Sequence, residues 1–147
     1  MRHHVAMTRI KVPSTLYRRM IDEACATPEL EVCGLLAGFG NSCTALYPVK
    51  NVSPTPERTF YMDPQSQISA MATMRQCGQT MVGIYHSHPT TPATPSARDL
   101  SHAAYPGVAY VIVSLHDRKQ PEVAAFILEQ GRFRPLQLAI EPGDDPG

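Results

Sequence analysis

An excess of charge of either sign is missing from this chain: 13 basic residues face 13 acidic ones across 147 positions. Binders of nucleic acid show a clear basic surplus, so no nucleic-acid partner is expected. No Cys-x-x-Cys pair occurs either, because Cys25, Cys33, Cys43 and Cys77 stand apart. A chain of this length needs no disulfide framework, and reduced thiols in a cytoplasmic protein are the expectation. The N-terminus "MRHHVAMTRI" lacks the apolar stretch of a signal peptide. No window approaches the roughly 20 apolar residues of a membrane span, so no membrane association is expected.

What is present suffices for one domain, since a chain near 150 residues buries roughly 68–70% of the surface it exposes when unfolded. Residues 9–140 form that domain in this reading, with 1–8 a flexible N-terminus and 141–147, "EPGDDPG", a disordered tail. His3 and His4 fall in the frayed end and are assigned no function.

Arg9 to Val12 alternates as a strand does, and Pro13-Ser14 opens a helix with Leu16, Met20, Ile21, Ala24 and Cys25 on one face, ending near Pro28. Val32 to Phe39 and Cys43 to Val49 flank Gly40-Asn41-Ser42 and predict a hairpin. The aromatic content of Arg58 to Met62 predicts another strand, and Pro64 starts a second helix reaching Gly78, whose methionine-rich stripe is core. Thr80 to His88 reads as a buried strand, Ser96 to Ala104 as a short helix, and Val108 to Leu115 as a further apolar strand. Val123 to Glu129 and Arg132 to Ile140, joined by Gln130-Gly131, predict a closing hairpin. Strands and helices interleave, so the fold class is α/β, a mixed β-sheet packed by helices.

The stretch "YHSHPTTPATPSARD", Tyr85 to Asp99, carries the chemistry. On a strand, side chains two apart share a face, so His86 and His88 project together and Ser87 points away. Beyond a loop restricted by Pro89, Pro92 and Pro95, Asp99 can fold back to join them. Zinc accepts two histidines and one carboxylate and keeps a fourth position open in catalytic sites. A base is then needed to take and return a proton, and Glu31, at the mouth of "EVCGLLAG", suits that role, although Glu29 would serve as well by composition. Ser96 and Asp99 also fit a plain helix N-terminus, serine capping and aspartate facing the positive dipole end. Cys33, inside an apolar strand, is an inert core thiol. His102, three residues after Asp99, is a candidate to orient that ligand, and His116 lies in an exposed turn.

The spacing His86-Ser87-His88, seven residues, Ser96, two residues, Asp99, with Glu31 upstream, resembles the JAMM (MPN-plus) zinc metallopeptidases. The likeness runs from about Arg9 to Ile140 and includes "RTFYMDP" and "AYVIVS". It implies a cytidine-deaminase-like fold and one zinc ion held by His86, His88 and Asp99. It further implies Glu31 as general acid/base and Ser96 as a hydrogen-bond donor to the oxyanion. Deaminases themselves need a Pro-Cys-x-x-Cys ligand pair that is missing here. Connections around the motif are short, so the chain is most similar to the stand-alone bacterial type resembling the CysO-cysteine peptidases. For those the partner is a ubiquitin-like sulfur carrier protein ending in Gly-Gly, from which cysteine is removed. A broader isopeptidase acting on ubiquitin-like conjugates, or a zinc-binding but inactive adaptor, are the alternatives the resemblance allows. Part of Arg58 to Met62, or the loop before it, would offer an edge to the extended tail.

Overall fold

A computed structural model describes residues 7–103 and 105–142. Ten elements follow in order: β1 (Arg9–Pro13), α1 (Ser14–Ala26), β2 (Cys33–Phe39), β3 (Ser42–Val49), α2 (Pro64–Gln76), β4 (Thr80–His88), α3 (Ala97–His102), β5 (Ala109–Ser114), β6 (Glu122–Glu129) and β7 (Arg132–Glu141). The seven strands close into a barrel in the order β1-β3-β2-β4-β5-β6-β7. Pairing is antiparallel within β3-β2-β4 and β5-β6-β7 and parallel at β4-β5 and β1-β7. The closing seam between β1 and β3 is a single pair, Lys11 opposite Ser42.

The mixed sheet packed by helices is therefore the observed architecture, and local sequence explains its punctuation. Gln130 and Gly131 both take positive φ, the two-residue turn whose twist matches antiparallel strands. Asp63 caps α2 by accepting from the Ser66 N–H at 3.1 Å and the Ser66 hydroxyl at 2.7 Å, with Pro64 at the first helical position. Helix α1 lays Leu16, Met20 and Ala24 on one face of the sheet with Ile10, Val12, Leu36 and Val111. Helix α2 covers the other face with Ala70 and Met74 against Leu35, Ala37, Ile84 and Tyr110. Burying side chains of this size contributes about 1.5–3 kcal/mol each, which is why both sheet faces read as apolar.

Some sequence expectations give way. Arg58 to Met62 is not a strand: one isolated bridge, Asn51 to Met62, is all the pairing this segment makes. Side chains hold its backbone instead, as the site shows below. Ile68 faces solvent at 67% exposure, so the apolar stripe of α2 is narrower than its composition suggests. Helix α3 spans Ala97–His102, shorter than Ser96 to Ala104, and Ala104 lies outside the described residues. Met7 and Thr8 are tied to β7, Met7 O accepting from Arg134 and Thr8 O from the Gln137 N–H, while the rest of the expected flexible N-terminus, 1–6, and tail residues 143–147 lie outside the described residues. No helix among the described residues is long and apolar enough to cross a membrane.

Candidate metal centre

Strands β4 and β5 run parallel, and the chain leaves β4 at its carboxyl end to cross over through α3. Crevices at the carboxyl ends of parallel strands are where α/β folds gather their polar groups. His86 and His88 occupy that end of β4, both buried.

Loop 89–96 is fastened to its surroundings at successive carbonyls. His88 Nδ1 donates to Pro92 O at 2.9 Å, Ser114 Oγ donates to Thr91 O at 2.7 Å, and His116 Nδ1 lies 2.7 Å from Thr90 O. His116 is thus exposed, as its turn suggests, yet tied to the loop. At the loop's end Ser96 caps α3: the Asp99 N–H donates to Ser96 Oγ at 3.0 Å and the Ser96 N–H donates to an Asp99 carboxylate oxygen at 2.8 Å. The reciprocal pair fixes the Asp99 side chain and aims it at the histidines.

Three groups then meet. His86 Nε2 and His88 Nε2 are 3.1 Å apart, and the two Asp99 oxygens lie 3.2 Å from His86 Nε2 and 3.1 Å from His88 Nε2. Zinc bonds of about 2.0–2.1 Å to nitrogen and oxygen imply tetrahedron edges of roughly 3.3 Å, so the donor set has the size of a face of that polyhedron. With Nδ1 engaged by Pro92 O, the neutral His88 ring offers its Nε2 lone pair to the common point. His86 lacks such a partner, as its buried Nδ1 has no hydrogen bond among the described residues. It is positioned by packing instead, its ring stacked on Phe60 at 4.6 Å between centroids and 25° between planes. Burial pushes the His86 imidazole down, toward the neutral form a metal needs. Burial alone would raise the Asp99 carboxyl, but hydrogen bonds from His86 and His88 outweigh it and hold the group well below the usual carboxylate range. His86, His88 and Asp99 can therefore hold a metal ion.

Glu31 is buried and lines the same cavity as His86 and Asp99, whereas Glu29 is exposed. Its backbone is clamped from both sides. The Glu31 N–H donates to Pro56 O at 2.7 Å and its carbonyl accepts from Asn51 Nδ2 at 2.9 Å, while the next residue, Val32, donates its N–H to Ser87 Oγ at 2.8 Å. Ser87, turned away from the histidine face as alternation requires, thereby ties the strand that carries His86 and His88 to the segment that carries Glu31. Burial pushes the Glu31 carboxyl up to about 7, with the His88 charge pulling down and the Asp99 charge adding to the rise.

Residues that sequence reasoning passed over complete the site. Asn51 uses its whole amide: Nδ2 donates to Glu31 O and to Thr59 O, and Oδ1 accepts from the Ser53 and Tyr61 N–H groups. These bonds are why 58–62 follows β3 without joining the sheet, and they set the Glu31 segment beside that of Phe60. An Asn ending a strand before a proline-bearing loop was the available signal. Ser96 is exposed, and it and Glu31 line different cavities. His102 lines the rim of the metal cavity and makes no hydrogen bond to Asp99 among the described residues. Cys33 is buried with its thiol raised to about 12 by desolvation and the nearby Glu23 and Glu31 charges, an inert core group as expected.

Comparison with known proteins gives the family. The family described as "Prokaryotic homologs of the JAB domain" matches residues 13–128. A desampylase of Haloferax volcanii is 37% identical over 120 residues, 80% of this chain and 84% of that protein. A CysO-cysteine peptidase of Mycobacterium tuberculosis is 32% identical over 123 residues, 82% of this chain and 83% of the relative. A solution structure of a Desulfitobacterium hafniense protein superposes with a TM-score of 0.80 at 33% identity, over 90% of this chain and 93% of the other. With two thirds or more of both chains aligned at such identities, the chain belongs to the JAB/MPN family through its prokaryotic branch and is a hydrolase of that family.

Proposed function

We propose that this protein is a zinc-dependent metallopeptidase that hydrolyses the amide bond after the C-terminal Gly-Gly of a ubiquitin-like sulfur carrier protein, releasing cysteine or a short extension. The observation that carries the reading is the meeting of two imidazole nitrogens and the Asp99 carboxylate within 3.1–3.2 Å, beside a buried carboxyl in the same cavity. Zinc held by His86, His88 and Asp99 would supply Lewis acidity to the scissile carbonyl.

The remaining steps fall to the chain itself. Glu31 takes the proton of the attacking water and returns it to the leaving amine; the water oxygen adds to the acyl carbon and the C–N bond breaks. Ser96 donates a hydrogen bond to the developing oxyanion. What supports that role is its free donor: in the cap, Oγ only accepts, so the hydroxyl hydrogen stays available. Phe60 bears on the tail, since its backbone N–H and C=O have no partner among the described residues while Tyr61 and Asp63 face β3's extension. A Gly-Gly tail, without side chains, can lie extended against that edge. Four free cysteines suit a reducing, cytoplasmic setting, and release of cysteine from the carrier is what would make the reaction a step of cysteine biosynthesis.

A synthetic adduct of carrier and cysteine, incubated with the zinc-loaded protein and weighed by mass spectrometry, should lose one cysteine mass. The Haloferax relative bears a different name from the mycobacterial one, so a lysine-linked isopeptide belongs in the same assay. Cleavage of the isopeptide alone selects the broader isopeptidase, and cleavage of neither selects the inactive adaptor.

A further inference from the structure

The cavity that holds Glu31, His86 and Asp99 is also lined by Arg58 and Arg98. Arg58 comes from the segment fastened to Glu31 through Pro56 and Arg98 from α3, one residue before Asp99. Neither charge has a close partner among the described residues. Arg58 meets only Glu57, at 3.9 Å with both side chains largely exposed, and Arg98 makes no ion pair among the described residues. The contrast is Arg134, which binds Glu129 at 3.1 Å and the Met7 carbonyl at 3.0 Å. Arg98 stands one residue before Asp99 in α3 and lines the same cavity as Glu31.

Formal charge then decides what the cavity lacks. Asp99 and Glu31 are the acids that line the cavity, and a divalent ion held there would offset them, which leaves Arg98, and Arg58 beyond its loose pair with Glu57, to meet the charge of a ligand. The scissile amide is neutral and cannot supply one. In a C-terminal amino acid, however, the carboxylate carbon lies roughly 2.5 Å from the scissile nitrogen, by ordinary N–Cα and Cα–C bond lengths. An isopeptide places uncharged lysine methylenes at that spot.

We propose that Arg58 and Arg98 are specificity residues that receive the α-carboxylate of the residue being released, so that the enzyme favours a free C-terminal amino acid over a lysine-linked isopeptide as leaving group. This inference rests on the peptidase reading above and names its substrate class. Planar guanidinium forks bind carboxylates in paired hydrogen bonds, which a carboxamide cannot accept with charge.

The test uses three carrier-tail peptides: one ending Gly-Gly-Cys with a free carboxylate, its C-terminal carboxamide, and a Gly-Gly isopeptide on a lysine side chain. The zinc-loaded protein should prefer the acid over the amide by about 10- to 100-fold in kcat/KM, the discrimination a charged hydrogen-bond pair supports. In the Arg58→Gln/Arg98→Gln double variant that ratio should fall toward one, and Arg98→Lys should restore part of it. Equal use of acid and amide by the wild type overturns the inference, as does a double variant that slows both alike, because the arginines then serve Glu31 or the tail. Binding is read separately by calorimetric titration of Glu31→Gln protein with the acid and the amide. If none of the three peptides is cleaved, the peptidase reading fails, and the ratio of dissociation constants still judges the arginines: a tighter acid sustains them and equal affinities refute them.

Discussion

Replacing Glu31 by glutamine should do opposite things to activity and to stability, and the opposition is measurable. In the metal-free protein the Glu31 carboxyl is raised from 4.5 to about 7 by burial in a cavity it shares with Asp99. A raised carboxyl means that the folded state binds its proton more tightly than the unfolded chain does. No penalty exists below about pH 4.5; it grows as pH climbs toward 7 and is complete above. A shift of this size corresponds to at most roughly 3 kcal/mol at pH 8, the side chain being only 6% exposed. Glutamine fills the same space and never ionises. Glu31→Gln should therefore match the wild type at pH 4 and exceed it by up to roughly 3 kcal/mol at pH 8 in the presence of EDTA, a rise in Tm of roughly 6–12 °C. Urea unfolding across pH 4–8 reads the difference directly. With zinc restored the gap should narrow, since a nearby cation favours the carboxylate, while turnover falls by about 100- to 10,000-fold. A variant whose stability tracks the wild type in parallel at every pH would refute the argument, for it would show that Glu31 is not held in a desolvated site.

His88→Ala should lose metal, because it removes one of three donors and leaves Asp99 without its 3.1 Å partner; metal content by mass spectrometry should fall well below one ion per chain. Zinc affinity of the wild type should decline at acid pH, since burial lowers the His88 imidazole but Asp99 and Pro92 O outweigh it and raise it, so a proton competes for the ring; competition with a chelator at two pH values measures this. Ser96→Ala should cost about 0.5–2 kcal/mol as a lost cap and, separately, about 100- to 1000-fold in turnover with metal retained; Ser96→Asp, which caps but donates nothing, should recover the stability alone. Asn51→Asp keeps both acceptor bonds but sets a carboxylate against the carbonyls of Glu31 and Thr59, so kcat should fall more than KM changes, with stability lowered by roughly 1–3 kcal/mol in calorimetry.

Much of this was open to reading because the relevant signals are local. His86 and His88 share a face through strand alternation, Pro64 and Asp63 mark a helix start, and Gln130-Gly131 marks a hairpin, each within a few residues. What sets Glu31 apart from Glu29 is not local, because Pro56, Asn51 and Ser87 hold its segment from three other parts of the chain. The same holds for 58–62, where aromatic residues suggest a strand but Asn51 and the Thr59 hydroxyl, bonded to Ser53 and Thr55, claim the backbone. Ser96 is the helix cap that one of its readings expected, and that cap is what aims Asp99. Barrel closure lay beyond reach, since the parallel pairing of β1 with β7 joins the two ends of the domain.

Helix α3 has six residues and buries none of them, too few for an isolated helix to persist in water. Its Asp99 is shared between the cap and the histidines, so an ion gripped there also staples a turn of the backbone to the barrel. Chelation should then loosen the lip of the cleft before it touches the core, and limited proteolysis near Arg98 would report how much free zinc surrounds the protein.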